Sequence, residues 1–498
     1  MKVIIDGAIN VYYVQTLCMI YFPGTKFSED EVVTPETPIL RLKLWEDDAG
    51  TTADASLQIG DRTVTATHTT RRSSQHTAER RRKLAVGAAV TTVCSDMLDY
   101  RPSWGMLTGV RPSKVATQLL HSGVERGEVE RQLSAEYFVI PKKAALATEV
   151  ACNEQKIIGT PDKKDCSVYI SIPFCPTRCA YCSFVSYTSK RLLSLIPEYL
   201  VKLTAEIHRM FDTIRHLGLR VRTVYIGGGT PTTLDEGQLR YLLECVAAET
   251  DVSALEEYTL ESGRPDTITA EKLHVAHQLG VTRISVNPQS LCDEVLRGIG
   301  RSHTVEDFFR AYEVARQSDI PVINTDLIVG LPGDTFPTFA YTYDKILELA
   351  PANVTVHTFC VKKSADILHS GENVYSIHGG DAGKCVDYSQ IRAEQMGYIP
   401  YYMYRQKNTV GNFENVGFAQ PGTEGLYNIY MMEEVHSIFA AGAGAVSKLV
   451  DYVPETQGKS TIQRLFNPKY PYEYLRADTA KEMRVAAEAF YRERDLLY

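Results

Sequence analysis

The sequence predicts an α/β protein built on a partial (βα)6 barrel, with an N-terminal α+β domain before it and a C-terminal α+β region after it. Three observations carry this expectation. Six short β-rich runs alternate with longer helical stretches through the middle of the chain, the pattern of a parallel sheet made of βα units. Polar and glycine-rich segments follow those runs directly, which is where βα barrels carry their chemistry. The length of 498 residues exceeds one ordinary core, so further domains are required at the flanks.

Residues 1–160 read as the N-terminal accessory domain. Strand-like runs at Val3–Ile5 and Ile39–Leu44 are joined by turns rich in Thr and Asp. A basic patch follows at Arg71, Arg72, Arg80, Arg81, Arg82 and Lys83, of which Arg80–Lys83 reads as a solvated helix face. Next come a helix and the segment Trp104-Gly105-Met106-Leu107-Thr108-Gly109-Val110-Arg111-Pro112-Ser113-Lys114.

Residues 161–375 hold the barrel. Its β-rich runs are Val168–Ile172, Thr223–Ile226, Tyr258–Leu260, Arg283–Val286, Val322–Ile328 and Val354–Phe359. Between them, apolar residues recur at helical spacing in Leu192–Leu217, Gln238–Ala248 and Phe308–Gln317. A cysteine-rich loop follows the first run, Gly227-Gly228-Gly229-Thr230-Pro231 follows the second, and Glu261 ends the third. Asn287-Pro288-Gln289 follows the fourth, and Asp326 lies late in the fifth. One barrel would bring all of these to one face. Residues 376–498, rich in Tyr, Gly and charge, read as a third, substrate-covering region.

The cysteine loop, Cys175-Pro176-Thr177-Arg178-Cys179-Ala180-Tyr181-Cys182, has the spacing C-x3-C-x2-C. Cysteine thiolates hold iron–sulfur clusters, and three protein ligands on a four-iron cluster leave one iron open to chelate an amine and a carboxylate. A structural zinc site wants four ligands. The fourth would come from Cys166 or a distant residue, and no second C-x2-C pair exists in the chain. The triple glycine lets the backbone turn sharply and lets a ligand approach the main chain.

Composition narrows the function classes. A hydrophobic content of 44% with 23% charged residues is that of a globular protein, and the net charge of −8 argues against a general nucleic-acid binder. No run of apolar residues is long enough for a membrane span. The segment Met1–Gly7 reads as strand and turn, not as a signal peptide. Eleven cysteines without a secretory signal point to a reducing cytoplasm.

The motifs together resemble the radical S-adenosylmethionine enzymes of the oxygen-independent coproporphyrinogen III oxidase (dehydrogenase) family. The resemblance runs from Tyr169-Ile170-Ser171-Ile172-Pro173-Phe174-Cys175 through Tyr225-Ile226-Gly227-Gly228-Gly229-Thr230-Pro231-Thr232 and Arg283-Ile284-Ser285-Val286-Asn287-Pro288-Gln289-Ser290. It continues in Gly300-Arg301-Ser302-His303 and Asp326-Leu327-Ile328-Val329-Gly330-Leu331-Pro332-Gly333, and more weakly through Glu414–Leu449. The tryptophan-containing segment and Tyr402-Met403-Tyr404-Arg405-Gln406-Lys407-Asn408 are similar to the longer branch found in Firmicutes, which carries an extra N-terminal domain.

The resemblance implies a partial TIM-like radical SAM barrel with two cofactors, a [4Fe-4S] cluster on Cys175, Cys179 and Cys182, and S-adenosyl-L-methionine. Gly228, Gly229 and Thr230 would meet the methionyl amino group, Tyr169 would lie beside the bound cofactor, and Glu261, Gln289, Arg301 and Asp326 would hold its polar groups. Tyr169, Glu261 and Gln289 would be the catalytic residues. A carboxylate accepts from hydroxyls or an ammonium, and Arg301 offers a planar fork to a carboxylate. The implied reaction is hydrogen abstraction from the β-carbon of a propionate by a 5′-deoxyadenosyl radical. Carbon dioxide and one electron are then lost, and two rounds convert coproporphyrinogen III to protoporphyrinogen IX. Arg111, Lys114, Arg405 and Lys407 are candidate cations for the tetracarboxylate, with Tyr401, Tyr402 and Tyr404 as flat contacts. The expected partners are the tetrapyrrole and an electron donor such as a flavodoxin or ferredoxin, with no nucleic acid, and the expected state is a monomer. Two departures bear on the reaction. Phe184 stands where the well-studied oxidases have a fourth cysteine, as the haem-chaperone branch also has an apolar residue, and Ser171 stands where they have a histidine. A haem-binding chaperone, or a haem-directed methylase or ring-opening enzyme, are therefore alternatives.

Overall fold

The computed structural model describes residues 1–27, 33–72, 76–182, 184–360, 380–406, 409–454 and 460–496. The chain divides into two compact units. The first comprises Met1–Cys152, Met403–Glu414 and a piece ending at Gly383; the second holds the other described residues. The segment 376–498 therefore does not stand as a third region, because it is shared between the two units.

In the first unit, strands β1 (Lys2–Asp6), β2 (Ile39–Glu46), β3 (Gly50–Ile59) and β4 (Arg62–Arg71) form one sheet in chain order. The pair β1–β2 is parallel and the other two pairs are antiparallel. In β2, Leu40, Leu42 and Leu44 are buried and alternate with exposed Arg41, Lys43 and Trp45, the period of a strand with one face on a core. The helix Ala78–Leu98 buries Leu84, Ala85, Val86, Ala89, Val90 and Val93, and Thr77 caps its first turn. Arg80, Arg81, Arg82 and Lys83 of the basic patch lie in the first turns of this helix, while Arg71 ends β4. Arg82 reaches Glu46 at 2.7 Å and Arg80 donates to the Tyr137 hydroxyl at 2.6 Å.

The six expected barrel strands are all present in the second unit, as β5 (Asp165–Ile172), β6 (Arg220–Gly228), β7 (Glu257–Leu260), β8 (Arg283–Ser285), β9 (Val322–Val329) and β10 (Asn353–Thr358). Each pairs in parallel with the next. The connecting helices fall where the apolar spacing places them. Ile196–His216 carries Pro197 in its first turn and buries Tyr199, Leu203, Ile207, Met210 and Ile214. Glu236–Glu249 and Val305–Arg316 each begin with a capping box, Asp235 with Gln238 and Thr304 with Asp307.

The sheet is larger than the sequence predicts, with eleven strands, and it is open. Beyond these six lie β11 (Ile399–Arg405), β12 (Glu414–Ala419), β13 (Ser437–Ala441), β14 (Val446–Asp451) and β15 (Thr461–Phe466). The order is β11-β12-β10-β9-β8-β7-β6-β5-β13-β14-β15. β13 pairs in parallel with β5, so a C-terminal strand covers the edge of the first barrel strand. The starting ends of the strands are filled by a buried ion pair. Arg283 Nε lies 3.1 Å from Glu257, and the other guanidinium nitrogens donate to Asn324, Asn353 and the carbonyls of Thr423 and Glu424. The polar and glycine-rich loops lie at the opposite end.

Candidate functional site

The cysteine loop leaves β5 and is tied down on several sides. Cys175 N donates to Tyr187 O at 3.1 Å and Tyr187 N to Pro173 O at 2.8 Å, which folds the loop back on itself. Ala180 N donates to Ile299 O at 3.0 Å and Cys182 N to Cys179 O at 3.0 Å. The thiols feel one another's charge. Burial pushes the Cys175 thiol up to about 11, the Thr230 hydroxyl opposes this, and the charges of Cys182 and Cys179 raise it further. Burial also raises Cys182. Among the described residues, no three His, Cys, Asp or Glu side chains converge on one metal-ion position. A cubane takes one thiolate at each of several corners, so its ligands need not converge as those of a single zinc ion do. Cys166, the candidate fourth zinc ligand, is buried near the start of β5, at the opposite end of that strand from the loop.

The triple glycine ends β6 against this loop. Gly229 N donates to Ile172 O and Thr230 N to Phe174 O, both at 2.8 Å. A Cβ on Gly229 would lie 2.6 Å from Phe174 O and 3.0 Å from Cys175 Sγ. Gly228 has φ +115°, a conformation that side chains disfavour. Thr230 Oγ1 lies 3.3 Å from Cys175 Sγ.

Glu261 leaves β7 beside them. The Tyr225 hydroxyl donates to its Oε1 at 2.5 Å. Burial lifts its pKa to about 7, Tyr225 opposes that, and the charge of Asp326 adds to it. Tyr169 and Tyr225 are register neighbours on β5 and β6. Their rings stack with Tyr427 from the helix Leu426–Glu433, at centroid distances of 6.1, 6.2 and 4.5 Å. Across the site, Asn287 Nδ2 donates to Asp326 Oδ2 at 2.8 Å and Asp326 N to Asn287 Oδ1 at 3.0 Å. His357 Nε2 lies 3.9 Å from the same carboxylate. Gln289 has φ +67° and is bridged to Leu327. Its buried Oε1 has no hydrogen-bond partner among the described residues, and strain with an orphaned acceptor marks a place built for a ligand.

Arg301 is buried; two of its guanidinium nitrogens bond protein, and Nε has no hydrogen-bond partner among the described residues. Nη1 donates to the carbonyls of Gly263 and Asn287, both at 3.1 Å, and Nη2 to the Tyr181 hydroxyl at 3.2 Å. It joins the loops after β7 and β8 to the cysteine loop. Ser171 donates to Ala443 O at 2.9 Å.

Of the cation candidates for a tetracarboxylate, Arg111, Lys114 and Arg405 lie in the first unit. Arg405 is buried, its Nη1 donates to Leu107 O at 2.6 Å, and its guanidinium lies over Trp104 at 5.9 Å. Burial lowers its pKa to about 10 against the charge of Glu414. These contacts give Arg405 a place in that unit's core. Arg111 and Lys114 are half-buried around the start of the helix Ser113–His121. Lys407 lies outside the described residues. Tyr401 and Tyr402 are buried in the second unit, with rings 4.9 Å apart.

Three site residues escaped the sequence reading. Tyr225 and Tyr427 build the aromatic stack, and Arg264 contacts the cysteine loop. Arg264 had a signal, since Arg264-Pro265-Asp266 follows a barrel strand on the same face as the cysteines.

The three-cysteine loop, the glycine turn and the carboxylates at one end of a parallel sheet define the class, and residues 169–346 match the radical SAM superfamily. The "Oxygen-independent coproporphyrinogen-III oxidase-like protein HemZ" of Bacillus subtilis is 38% identical over 377 residues, 74% of each chain. The "Heme chaperone HemW" of the same organism is 31% identical over 56% of this chain and 70% of its own. The solved coproporphyrinogen III oxidase HemN of Escherichia coli shares the fold, with a TM-score of 0.50 and 23% identity, over 66% of this chain and 72% of that one. The chain belongs to the HemN/HemZ/HemW family of radical SAM proteins. Its cofactors are those of the superfamily, a [4Fe-4S] cluster and S-adenosylmethionine, and the electrostatically linked thiols of one loop, the glycine turn packed against them and the orphaned Gln289 acceptor fit them. No helix among the described residues is long and apolar enough to cross a membrane.

Proposed function

We propose that this chain decarboxylates two propionates of coproporphyrinogen III to vinyl groups, giving protoporphyrinogen IX. The observation that carries the reading is the gathering of the cysteine loop, Gly227–Gly229, Glu261, Gln289 and Asp326 at one strand end, in a chain 38% identical to a coproporphyrinogen-III oxidase-like protein. When bound, the cofactors supply a 5′-deoxyadenosyl radical able to take a hydrogen atom from a propionate carbon.

The protein's own residues bind, orient and exclude water. Cys175, Cys179 and Cys182 hold the cluster. Gly228, Gly229 and Thr230 would meet the methionyl end of the cofactor through their carbonyls, since the amides of Gly229 and Thr230 are already bonded to Ile172 O and Phe174 O. Glu261, Gln289 and Asp326 accept from its ammonium or hydroxyl groups. Arg301 holds the loops that present Gly263 and Asn287, so that Glu261 and Gln289 keep their places. Tyr169, beside the cofactor, continues with Tyr225 and Tyr427 into an apolar wall that excludes water. A flavodoxin or ferredoxin is the candidate electron donor.

A second reading, a haem-binding chaperone, is favoured by the apolar Phe184, 68% exposed beside the cysteine loop, and by the 31% identity to HemW. The deciding experiment is anaerobic turnover of the reconstituted protein with coproporphyrinogen III, S-adenosylmethionine and a strong reductant. Protoporphyrinogen with one 5′-deoxyadenosine per vinyl group is expected. Tight haem binding without deoxyadenosine would replace the enzyme reading with the chaperone.

A further inference from the structure

The loop after β7 aims a guanidinium at one of the three thiols. The Arg264 side chain is 4% exposed. Its Nε and Nη2 grip the two oxygens of Asp266 at 3.0 and 2.9 Å, as a fork. Nη2 also donates to Thr177 Oγ1 at 2.8 Å and Ser302 Oγ at 2.7 Å. The Ser302 hydroxyl donates in turn to Asp266 Oδ2 at 2.7 Å. This clamp fixes the plane of the guanidinium. The remaining edge, Nη1, points to Cys179 Sγ at 3.4 Å. The backbone serves the same geometry, because Ala180 N is bonded to Ile299 O and a Cβ on Gly300 would meet Arg178 O at 3.2 Å. The turn bearing Cys179 is thus held from both sides, and Arg264 donates a hydrogen bond to its sulfur.

We propose that Arg264 is a positioning residue that sets the reduction potential of the cluster through Cys179. One-electron reduction of a [4Fe-4S] centre forms and breaks no bond; it adds one negative charge to a centre already carrying three thiolates. Hydrogen bonds to the sulfurs and local charge are what a protein uses to move such a potential. A buried cation donating to a ligand sulfur stabilises the more negative, reduced state more than the oxidised one, and burial spares it solvent screening. Arg264 therefore raises the potential and eases acceptance of the electron. Asp266, Thr177 and Ser302 serve to hold it in line. This rests on the family's cluster and not on the tetrapyrrole, so either reading can fail without the other.

The test is a redox titration of the anaerobically reconstituted full chain, followed by the paramagnetic signal of the reduced cluster, with no S-adenosylmethionine or porphyrinogen present. In Arg264→Gln, the reduced-to-oxidised ratio at the wild-type midpoint is expected to fall about tenfold, the effect of one hydrogen bond to a charged group, or ~59 mV for a one-electron couple. Arg264→Lys keeps the charge, loses the fork and is expected to move the same way by less. A purely structural staple would change iron content or melting and leave the midpoint in place. A wild-type midpoint in Arg264→Gln with full iron content overturns the proposal. If that variant does not retain a cluster, Arg264→Lys decides: a lower midpoint supports the assignment and an unchanged one overturns it.

Discussion

Glu261 carries a proton at a pH where an ordinary glutamate does not. Its pKa of about 7 stands above the usual 4.5 because burial raises it most, the Tyr225 hydroxyl offsets part of that, and the Asp326 charge adds to it. The unfolded chain loses this proton near 4.5, so the folded state binds more protons between the two values. Stability present below pH 4.5 is therefore lost as pH rises toward 7, by at most about 3 kcal/mol at ~1.4 kcal/mol per unit. The variant Glu261→Gln removes this dependence. In denaturant unfolding of the apoprotein it should match the wild type near pH 4.5 and exceed it by roughly 2 kcal/mol at pH 8. Parallel stability profiles for the two proteins would mean that Glu261 ionises freely. The carboxyl group itself was legible in the sequence as a polar residue at a strand end. Its pKa was not, because Tyr225 and Asp326 meet it only after β6, β7 and β9 have been brought together.

At the scale of elements, the strand that completes the sheet is held by one buried carboxylate. Glu206, in the helix Ile196–His216, accepts from Gly442 N at 2.9 Å, Asn467 Nδ2 at 3.0 Å and Thr479 Oγ1 at 2.5 Å, and also from the Tyr474 hydroxyl. Those donors sit just after β13, just after β15, at the start of the helix Thr479–Glu493 and in the helix Pro471–Arg476. A second tie lies next to it, where Tyr199 donates to Ser171 O and accepts from Ala443 N. Removing the carboxylate leaves buried donors unpaired, at ~1–3 kcal/mol each. Glu206→Ala should lower unfolding stability by roughly 3 kcal/mol or more, and Glu206→Gln by less, since it keeps an acceptor. A loss below about 1 kcal/mol would mean that the C-terminal strands are held by other contacts.

At the scale of the molecule, the first unit is discontinuous in sequence. Glu414 is buried there with Lys143 Nζ at 2.7 Å and Trp104 Nε1 at 2.7 Å, and Arg405 donates to Leu107 O. A fragment ending at residue 152 would leave Lys143 without its carboxylate, and an unpaired buried charge costs several kcal/mol. That fragment should melt without cooperativity, and restoring 403–414 through a linker should bring the transition back. Near-ultraviolet circular dichroism reads both. A cooperative melt of the short fragment at the temperature of the linked form would show that the pair is dispensable.

What the sequence determined by itself was local or periodic. Strand runs, helical spacing, capping residues and the C-x3-C-x2-C loop depend on neighbours a few positions apart, so the six parallel strands and the end that carries the polar loops could be read directly. The tertiary structure decided what depends on residues far apart. It placed β13 beside β5, divided 376–498 between two units, buried Arg405 beside Trp104, and bonded Arg301 to the carbonyls of Gly263 and Asn287. It also directed Arg264 onto Cys179, a contact across 85 positions of chain. Such contacts follow from how the strands pair and not from spacing, and for that reason the cysteine loop could be read in the sequence while the contact made to one of its thiols could not.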